Sequence, residues 1–272
     1  MRGSNFTIGI TDASQIKNDR LQTSGYTPFV SRDISKRLDP KRIFSDAKSI
    51  VVVCVPYDTA DFYSNLSSLG VCDDYHKRVK DVLMDVAANF EDVYGPFNHK
   101  ILVDGPTLCE RTLAVRAGLG FFGKNGLVIS PEYGTRFNIG VMITSVLLDE
   151  SHKTMDLQAC SHDCNLCIEA CPNGALSEGK PLEAGLCISY LTQKEKLTAE
   201  EEKLLHGQLY GCDICQNVCP KNTPHKSTYL NPEDLLILSE SEIAERFNYT
   251  AMSWKIKLLK RNAKNATQLA CL

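Results

Sequence analysis

Two short motifs hold most of the cysteines in this chain. The first is CSHDCNLCIEACPNG at residues 160–174, the second is GCDICQNVCPKN at residues 211–222, and Cys187 stands between them. In both motifs a C-x-x-C turn directs two thiolates into one small volume, and a further cysteine comes just before a proline. This is the spacing of ligands to 4Fe-4S clusters, in which the cysteine before the proline typically binds the other cluster.

The number of cysteines agrees with two such clusters, which need eight thiolates. The predicted metal ligands are Cys160, Cys164, Cys167, Cys171, Cys187, Cys212, Cys215 and Cys219. Three residues rather than the usual two separate Cys160 from Cys164, so Cys160 departs from the pattern, with His162 as a remote substitute. The alternative is a pair of zinc sites, which rarely repeat the C-x-x-C-x-x-x-C-P spacing. We expect ordinary small apolar side chains at Cys54, Cys72, Cys109 and Cys271.

Composition and hydropathy exclude several classes of protein. The longest apolar run, at residues 49–57, is far shorter than the roughly 20 residues that cross a bilayer, and residues 1–14 lack the apolar stretch of a signal peptide. We therefore expect a cytoplasmic protein with no membrane role, in which the 12 cysteines stay reduced. The net charge of -3 gives no global attraction to nucleic acid, so such a partner would need a local basic patch.

The elements that must position these residues fall into three stretches. Residues 1–150 read as an α/β domain, because a continuous β-branched run at 49–57 is followed by helical spacing at 77–90 and by further strand patterns. Residues 151–229 carry the cysteines, and residues 230–272 are predicted to be a helical tail that starts at Asn231 and Pro232. The predicted fold class is therefore α+β, with a cysteine-rich module after the α/β domain.

Four stretches together resemble one known family. They are VDGPTLCERTLAVRAGLGFFGKNGLVISPEYGTRFNIG at 103–140, CDDYHKRVK at 72–80, LCISYLT at 186–192 and YGCDICQNVCPKN at 210–222. In this order they resemble the epoxyqueuosine reductases, cobalamin-dependent iron-sulfur enzymes related to reductive dehalogenases. The resemblance implies a nitroreductase-like α/β domain that holds cobalamin and a ferredoxin-like domain with two 4Fe-4S clusters. The implied reaction is reduction of epoxyqueuosine to queuosine in the anticodon loop of tRNA, with electrons from an external low-potential donor.

The resemblance also assigns roles to particular residues. It implies that Asp104, six residues before Glu110, is the general acid. It implies cofactor contacts for Arg32, Asp104, Lys124, Asn125, Val128, Ile139 and Asp213. It further implies a crossed pattern of ligation. Cys160, Cys164, Cys167 and Cys219 would hold one cluster, and Cys171, Cys187, Cys212 and Cys215 the other.

The chemistry is consistent with these roles. Making an alkene from an epoxide takes two electrons and removes an oxygen atom as water, so the site needs a strong reductant and a proton source. Low-valent cobalt, reached through clusters that each pass one electron, would supply the electrons, and Asp104 the proton. An acid that stays protonated near neutral pH should be desolvated, and the apolar residues before Asp104 lead us to expect this.

Several of the residues singled out also have a purely structural interpretation. Asp104 is alternatively a strand-end aspartate, His76 a structural histidine rather than a cobalt ligand, and Lys124 a solvated loop lysine. The basic residues of the last helical stretch either bind tRNA phosphates or form a solvated helix face; they are Lys255, Lys257, Lys260, Arg261 and Lys264.

Two departures from the family leave the substrate open. The chain ends at Leu272 without the C-terminal helical-repeat domain of many members, and Arg136 stands where an aromatic or apolar residue is usual. The alternatives are a corrinoid iron-sulfur reductase of a small molecule and an iron-sulfur electron-transfer protein whose first domain binds a partner or a flavin.

Overall fold

The computed structural model describes residues 6–17, 30–57, 62–149, 159–250 and 252–269. The chain forms two compact units: Met1–Tyr57 with Tyr75–Asp163, and Asp58–Asp74 with Cys164–Leu272. The sequence did not predict that the segment 58–74 joins the second unit, nor that residues 230–272 share a compact unit with the cysteine motifs. The division of functions among the three predicted stretches stays a prediction.

The described residues form short and long strands and helices. The strands are β1 (Thr7–Asp12), β2 (Ser49–Pro56), β3 (His99–Val103), β4 (Phe121–Phe122), β5 (Val128–Ile129) and β6 (Phe137–Thr144). The first helices are α1 (Ile34–Leu38), α2 (Ser68–Val71), α3 (Tyr75–Tyr94) and α4 (Glu110–Arg116). The later helices are α5 (Leu166–Glu169), α6 (Ile188–Leu191), α7 (Ala199–Lys203), α8 (Ile214–Asn217), α9 (Pro232–Ile237), α10 (Glu240–Arg246) and α11 (Ile256–Leu269). Short 3₁₀ turns occupy Pro40–Arg42 and Ala184–Leu186.

The first unit is built on an antiparallel sheet in the order β1-β2-β6-β3. Alternate residues of β2 enter two different cores: Ile50 and Val52 pack on the side of α4, whereas Val51 and Val53 pack on the side of α3. Because helices cover both faces, β2 is apolar at nearly every position, a pattern more common in parallel sheets. Gly140 in β6 leaves the space that Val79 of α3 occupies.

The second unit is mainly helical in its described part. Its core contains Leu209, Leu235, Ile243 and Leu259, and α11 packs against α9. The predicted cap of α9 is confirmed, since the Asn231 side chain accepts a hydrogen bond from the backbone N–H of Glu233. Among the described helices, none combines the length and apolar character needed to cross a membrane.

Candidate active site and cluster-binding cysteines

Asp104 lies in the turn that follows β3, at the surface of the first unit. Its backbone is in the left-handed region, with φ of 50°, which an aspartate adopts more readily than most residues. The hydroxyl of Tyr75, the first residue of α3, donates a hydrogen bond of 2.6 Å to Oδ2 of Asp104. The acid is therefore oriented by a neighbouring helix while remaining exposed. The expectation that Asp104 is desolvated is wrong.

The desolvated carboxyl group is that of Glu110, the first residue of α4. Its Oε1 accepts a hydrogen bond of 2.9 Å from the backbone N–H of Gly105. Burial raises the pKa of Glu110 to about 8, and the negative charge of Asp104 acts in the same direction. The hydrogen bonds from the turn and the charge of Arg111 oppose this rise without cancelling it. Glu110 is therefore largely protonated at neutral pH, a property that the apolar residues before Asp104 did not reveal.

Arg111 lies near both acids, and Arg37 lies near Arg111. Nη1 of Arg111 donates a hydrogen bond of 2.7 Å to the carbonyl of Gly126. This bond joins α4 to the glycine-rich loop, which is the stretch RAGLGFFGKNG at residues 116–126. Arg37 of α1 lies close enough to Arg111 to lower its pKa further, although burial is the main cause. The Nε atom of Arg37 is buried without a hydrogen bond among the described residues. Sequence reasoning missed Arg111, whose only signal was its place beside Glu110 in the matched motif.

The loop that carries Asp104 is also tied to the chain before α1. The N–H of Ser31 donates to the carbonyl of Pro106 at 2.9 Å, and the N–H of Cys109 donates to the carbonyl of Arg37 at 3.2 Å. Arg32, a predicted cofactor contact, is exposed between these two links. The structure thus brings Arg32 and Asp104 to neighbouring segments of the first unit.

The other predicted cofactor contacts of the first unit already serve its own structure. Nζ of Lys124 donates to the carbonyl of His162 at 2.8 Å, and Oδ1 of Asn125 accepts from the N–H of Leu127 at 3.1 Å. Val128 is buried in the core, and Ile139 packs against that core. Their contact with a corrin stays a prediction.

Four of the predicted cluster ligands are close to one another in the second unit. They are Cys171, Cys187, Cys212 and Cys215. Burial raises the pKa of Cys212 to about 12, and the neighbouring Cys187, Asp213 and Cys171 add to the rise. Burial, together with Cys171, raises the pKa of Cys187 as well. Thiols this close oppose each other's ionisation, which is the repulsion that bound iron offsets.

The two C-x-x-C turns adopt the same local structure. Cys167 lies in α5 and Cys215 in α8, and these two short helices pack against each other. All eight predicted ligands are free thiols rather than disulfides. Among the described residues, no three histidine, cysteine or acidic side chains converge on the position of a single ion.

The eight predicted ligands are not all assigned to one compact unit. Cys160 belongs to the first unit, and the other seven cysteines belong to the second. Cys160 is half-buried and His162 is exposed. Which of them completes a cluster stays a prediction.

Asp213 is a buried member of the second cysteine motif. Its Oδ2 accepts hydrogen bonds from Ser68 through N–H at 2.7 Å and through Oγ at 2.6 Å. Gln216 donates to Oδ1 at 2.9 Å. The carboxylate therefore ties the segment 58–74 to the motif, which neighbouring sequence could not indicate. Its predicted cofactor contact stays a prediction.

Other residues singled out in the sequence have plain structural settings. Cys54, Cys72 and Cys109 are buried, as predicted, whereas Cys271 lies outside the described residues. His76 is exposed and stacks on Tyr75 with ring centroids 4.2 Å apart.

Comparisons with known proteins match both the cysteine-rich segment and part of the first unit. A family model described as "4Fe-4S double cluster binding domain" matches residues 159–222. A second, described as "Epoxyqueuosine reductase QueG, DUF1730", matches residues 37–105. A double-cluster domain beside a match to a reductase model indicates an iron-sulfur oxidoreductase.

Individual relatives define the family. The epoxyqueuosine reductase of Lactococcus garvieae is 34% identical over 278 residues, which cover 92% of this chain and 78% of the relative. That of Bacillus subtilis is 34% identical over 288 residues, covering 94% and 73%. The chain belongs to the epoxyqueuosine reductase family, and the prediction of this family from its motifs is confirmed.

Solved structures show the same fold. The epoxyqueuosine reductase from Streptococcus thermophilus matches with a TM-score of 0.81 at 31% identity, over 96% of this chain and 76% of that chain. A match with the same values is an epoxyqueuosine reductase with an epoxyqueuosine-modified tRNA-Tyr stem loop. The Bacillus subtilis structure matches with a TM-score of 0.80, and in it the loop with the catalytic aspartate is swung out of the active site. The predicted α+β fold class is confirmed.

Proposed function

We propose that this chain reduces epoxyqueuosine in the anticodon loop of tRNA to queuosine. The observation that carries the proposal is the exposed Asp104 turn, oriented by Tyr75, in a fold that also occurs in an epoxyqueuosine reductase solved with a modified tRNA stem loop. An exposed acid suits a substrate held at the end of a large RNA, because the modified base must reach it from solvent.

The proposed electron path uses two 4Fe-4S clusters held in the crossed pattern. The proximity of Cys171, Cys187, Cys212 and Cys215 supports one of the two ligand sets. Cobalamin, when bound, supplies a low-valent cobalt that reduces the substrate. The residues proposed to hold it are Arg32, Asp104, Lys124, Asn125, Val128, Ile139 and Asp213. The unpaired, buried Nε of Arg37 fits a polar acceptor such as a side-chain amide of the corrin.

The residues of the chain handle the proton and the charge. Conversion of an epoxide to an alkene and water consumes two electrons and two protons. Asp104 delivers one proton to the leaving oxygen and solvent supplies the second, and the Tyr75 hydroxyl stabilises the carboxylate that remains. The positive charge of Arg111 lies near both carboxyl groups. The neutral form of Glu110 adds no negative charge beside it.

The proposal also includes the cellular compartment and the binding partners of the protein. A tRNA substrate places the protein in the cytoplasm, where its thiols stay reduced. An external low-potential donor reduces the clusters, and local basic residues supply the contacts to tRNA phosphates.

Cofactor binding separates this proposal from its alternatives. Protein reconstituted with iron and sulfide without oxygen should bind stoichiometric cobalamin and develop a corrin absorption spectrum. A flavin spectrum, or no cofactor in the first unit, would instead favour an electron-transfer protein. Bound cobalamin with reduction of small molecules but never of tRNA would favour the small-molecule reductase, with Arg136 as the first residue to test.

A further inference from the structure

We propose that Glu110 is a positioning residue that holds the Asp104 turn in the conformation from which Asp104 delivers its proton. This inference rests on the proposed role of Asp104 as the acid. Glu110 itself contacts the backbone of the turn, so it acts through Asp104 rather than on the substrate.

The first reason is the backbone of the turn. A left-handed conformation at a non-glycine residue costs free energy and persists where surrounding contacts enforce it. Asp104 has φ of 50°, and Oε1 of Glu110 accepts the N–H of the next residue, Gly105, at 2.9 Å. A Cβ atom at Gly105 would lie 3.4 Å from that oxygen, so the carboxyl group packs directly on the turn.

The second reason is that Tyr75 and Glu110 hold two neighbouring residues of the turn from two different helices. Tyr75 fixes the Asp104 side chain from α3, and Glu110 fixes the backbone beside it from α4. The helix α4 is itself attached to the glycine-rich loop through Arg111 and Gly126. In the Bacillus subtilis relative the loop with the catalytic aspartate leaves the active site, so a contact that retains such a loop has a function.

The third reason is electrostatic. Several charged or titratable groups face Glu110 or its neighbours: Asp104 after β3, Arg111 on α4, Arg37 on α1, Cys109 before α4, and Tyr75 through Asp104. Burial raises the pKa of Glu110 to about 8, so its carboxyl group stays protonated up to about that pH. Above that pH its carboxylate would repel the charge that Asp104 acquires on losing a proton, so proton delivery becomes slower.

Two substitutions in the reconstituted, full-length protein test this positioning role. Glu110→Ala removes the acceptor, whereas Glu110→Gln keeps an acceptor and stays neutral at every pH. Glu91→Gln, an exposed change in α3, is the matched control. Hydrogen exchange of a peptide spanning residues 100–113 reports on the turn, and kcat between pH 6 and 9 reports on catalysis.

Glu110→Ala should speed amide exchange in the turn and lower kcat by about 10- to 100-fold, because small displacements of a catalytic group have such effects. Glu110→Gln should preserve exchange and retain kcat at pH 7 within about threefold. The ratio of wild-type to Glu110→Gln kcat should fall as the pH rises through about 8. Glu91→Gln should match the wild type throughout.

Unchanged amide exchange and unchanged kcat in Glu110→Ala would overturn the positioning role of Glu110. Faster amide exchange without loss of kcat would overturn it as well. If Glu110→Ala does not fold, a constant rate ratio for Glu110→Gln across this pH range overturns the proposal. Normal turnover of Asp104→Asn would instead overturn the proposed role of Asp104, so the two failures are distinguishable.

Discussion

The carboxyl group of Asp104 is the group that the proposed reaction uses, and the hydroxyl of Tyr75 fixes its orientation. Replacing it with asparagine preserves the size of the side chain and an acceptor for the Tyr75 hydroxyl, but removes the proton. Turnover of Asp104→Asn should fall by about 10²- to 10⁴-fold while iron and cobalamin are retained. Steady-state assays on epoxyqueuosine-containing tRNA would measure this.

The matched control for this change is Asp81→Asn. Asp81 is an exposed aspartate on α3 that pairs with Lys77, outside the site. The Asp81→Asn variant should turn over substrate at the wild-type rate. Turnover of Asp104→Asn near the wild-type rate would show that water or another residue provides the proton, and loss of bound cobalamin would make Asp104 structural.

Glu110 gives the folded protein a pH dependence of its own. Its pKa is about 8 in the folded state against an ordinary value of 4.5, so folded protein keeps a proton that unfolded protein releases between these values. Its stabilising contribution is complete below pH 4.5 and is lost as the pH rises to about 8. The slope is at most about 1.4 kcal/mol per pH unit.

Melting temperatures measured between pH 5 and 8.5 test this sign. The Tm of the wild type should decline more steeply with rising pH than that of Glu110→Gln, in which the titration is absent. Glu91→Gln should follow the wild type. Parallel curves for wild type and Glu110→Gln would contradict the assigned protonation state.

At this scale the motif and the position after a predicted strand singled out Asp104, whose role as the acid stays a prediction. It did not show that Asp104 is exposed and Glu110 desolvated. Burial depends on how α4, α1 and the glycine-rich loop pack around the two carboxyl groups, and the local apolar pattern before Asp104 carries no information about those distant segments.

The helix α11 is the element with the clearest candidate for contact with RNA, but its basic residues have different settings. Nζ of Lys260 donates to the carbonyl of Leu238, and the guanidinium of Arg261 donates to the carbonyls of Lys194 and Glu195. These two side chains serve the fold. Lys257 and Lys264 are exposed and remain the candidates for phosphate contacts.

Changing Lys257 and Lys264 together to glutamine should therefore weaken tRNA binding and reduce the salt dependence of log K by about one per lost phosphate contact. Binding titrations at several salt concentrations would measure both effects. The double variant Lys203→Gln and Lys226→Gln, two exposed lysines of the same unit, is the control. Equal losses in both double variants would indicate a general charge effect rather than a site on α11.

The cysteine motifs make a prediction about Cys187, which lies outside both of them. Its thiol is close to Cys171, Cys212 and Cys215, so Cys187→Ser should impair one cluster and leave the other. Iron content should fall toward about four per chain. Cys54→Ala, in the buried strand β2, should keep the full iron content. Full iron in Cys187→Ser would remove Cys187 from the ligand set.

Several elements were predictable because their signals are local. Helical spacing indicated α3, the β-branched run indicated β2, and Asn231 with Pro232 indicated the start of α9. The place of the segment 58–74 was not predictable, since it depends on the contact between Ser68 and Asp213, which lie 145 residues apart.

For the molecule as a whole, the count of eight cysteine ligands predicts about eight iron and eight sulfide per chain after anaerobic reconstitution, with no stoichiometric zinc. Elemental analysis and sulfide assays measure this directly. Four iron, or two zinc, would contradict the assignment of two 4Fe-4S clusters.

The most direct test of the account is the reaction itself. Reconstituted protein with both clusters and cobalamin, reduced without oxygen, is mixed with a tRNA anticodon stem loop carrying epoxyqueuosine, and the nucleosides are analysed by mass spectrometry. The account predicts conversion of epoxyqueuosine to queuosine, with the loss of one oxygen atom, only when both kinds of cofactor are present. Unaltered epoxyqueuosine in fully reconstituted, reduced protein would contradict it.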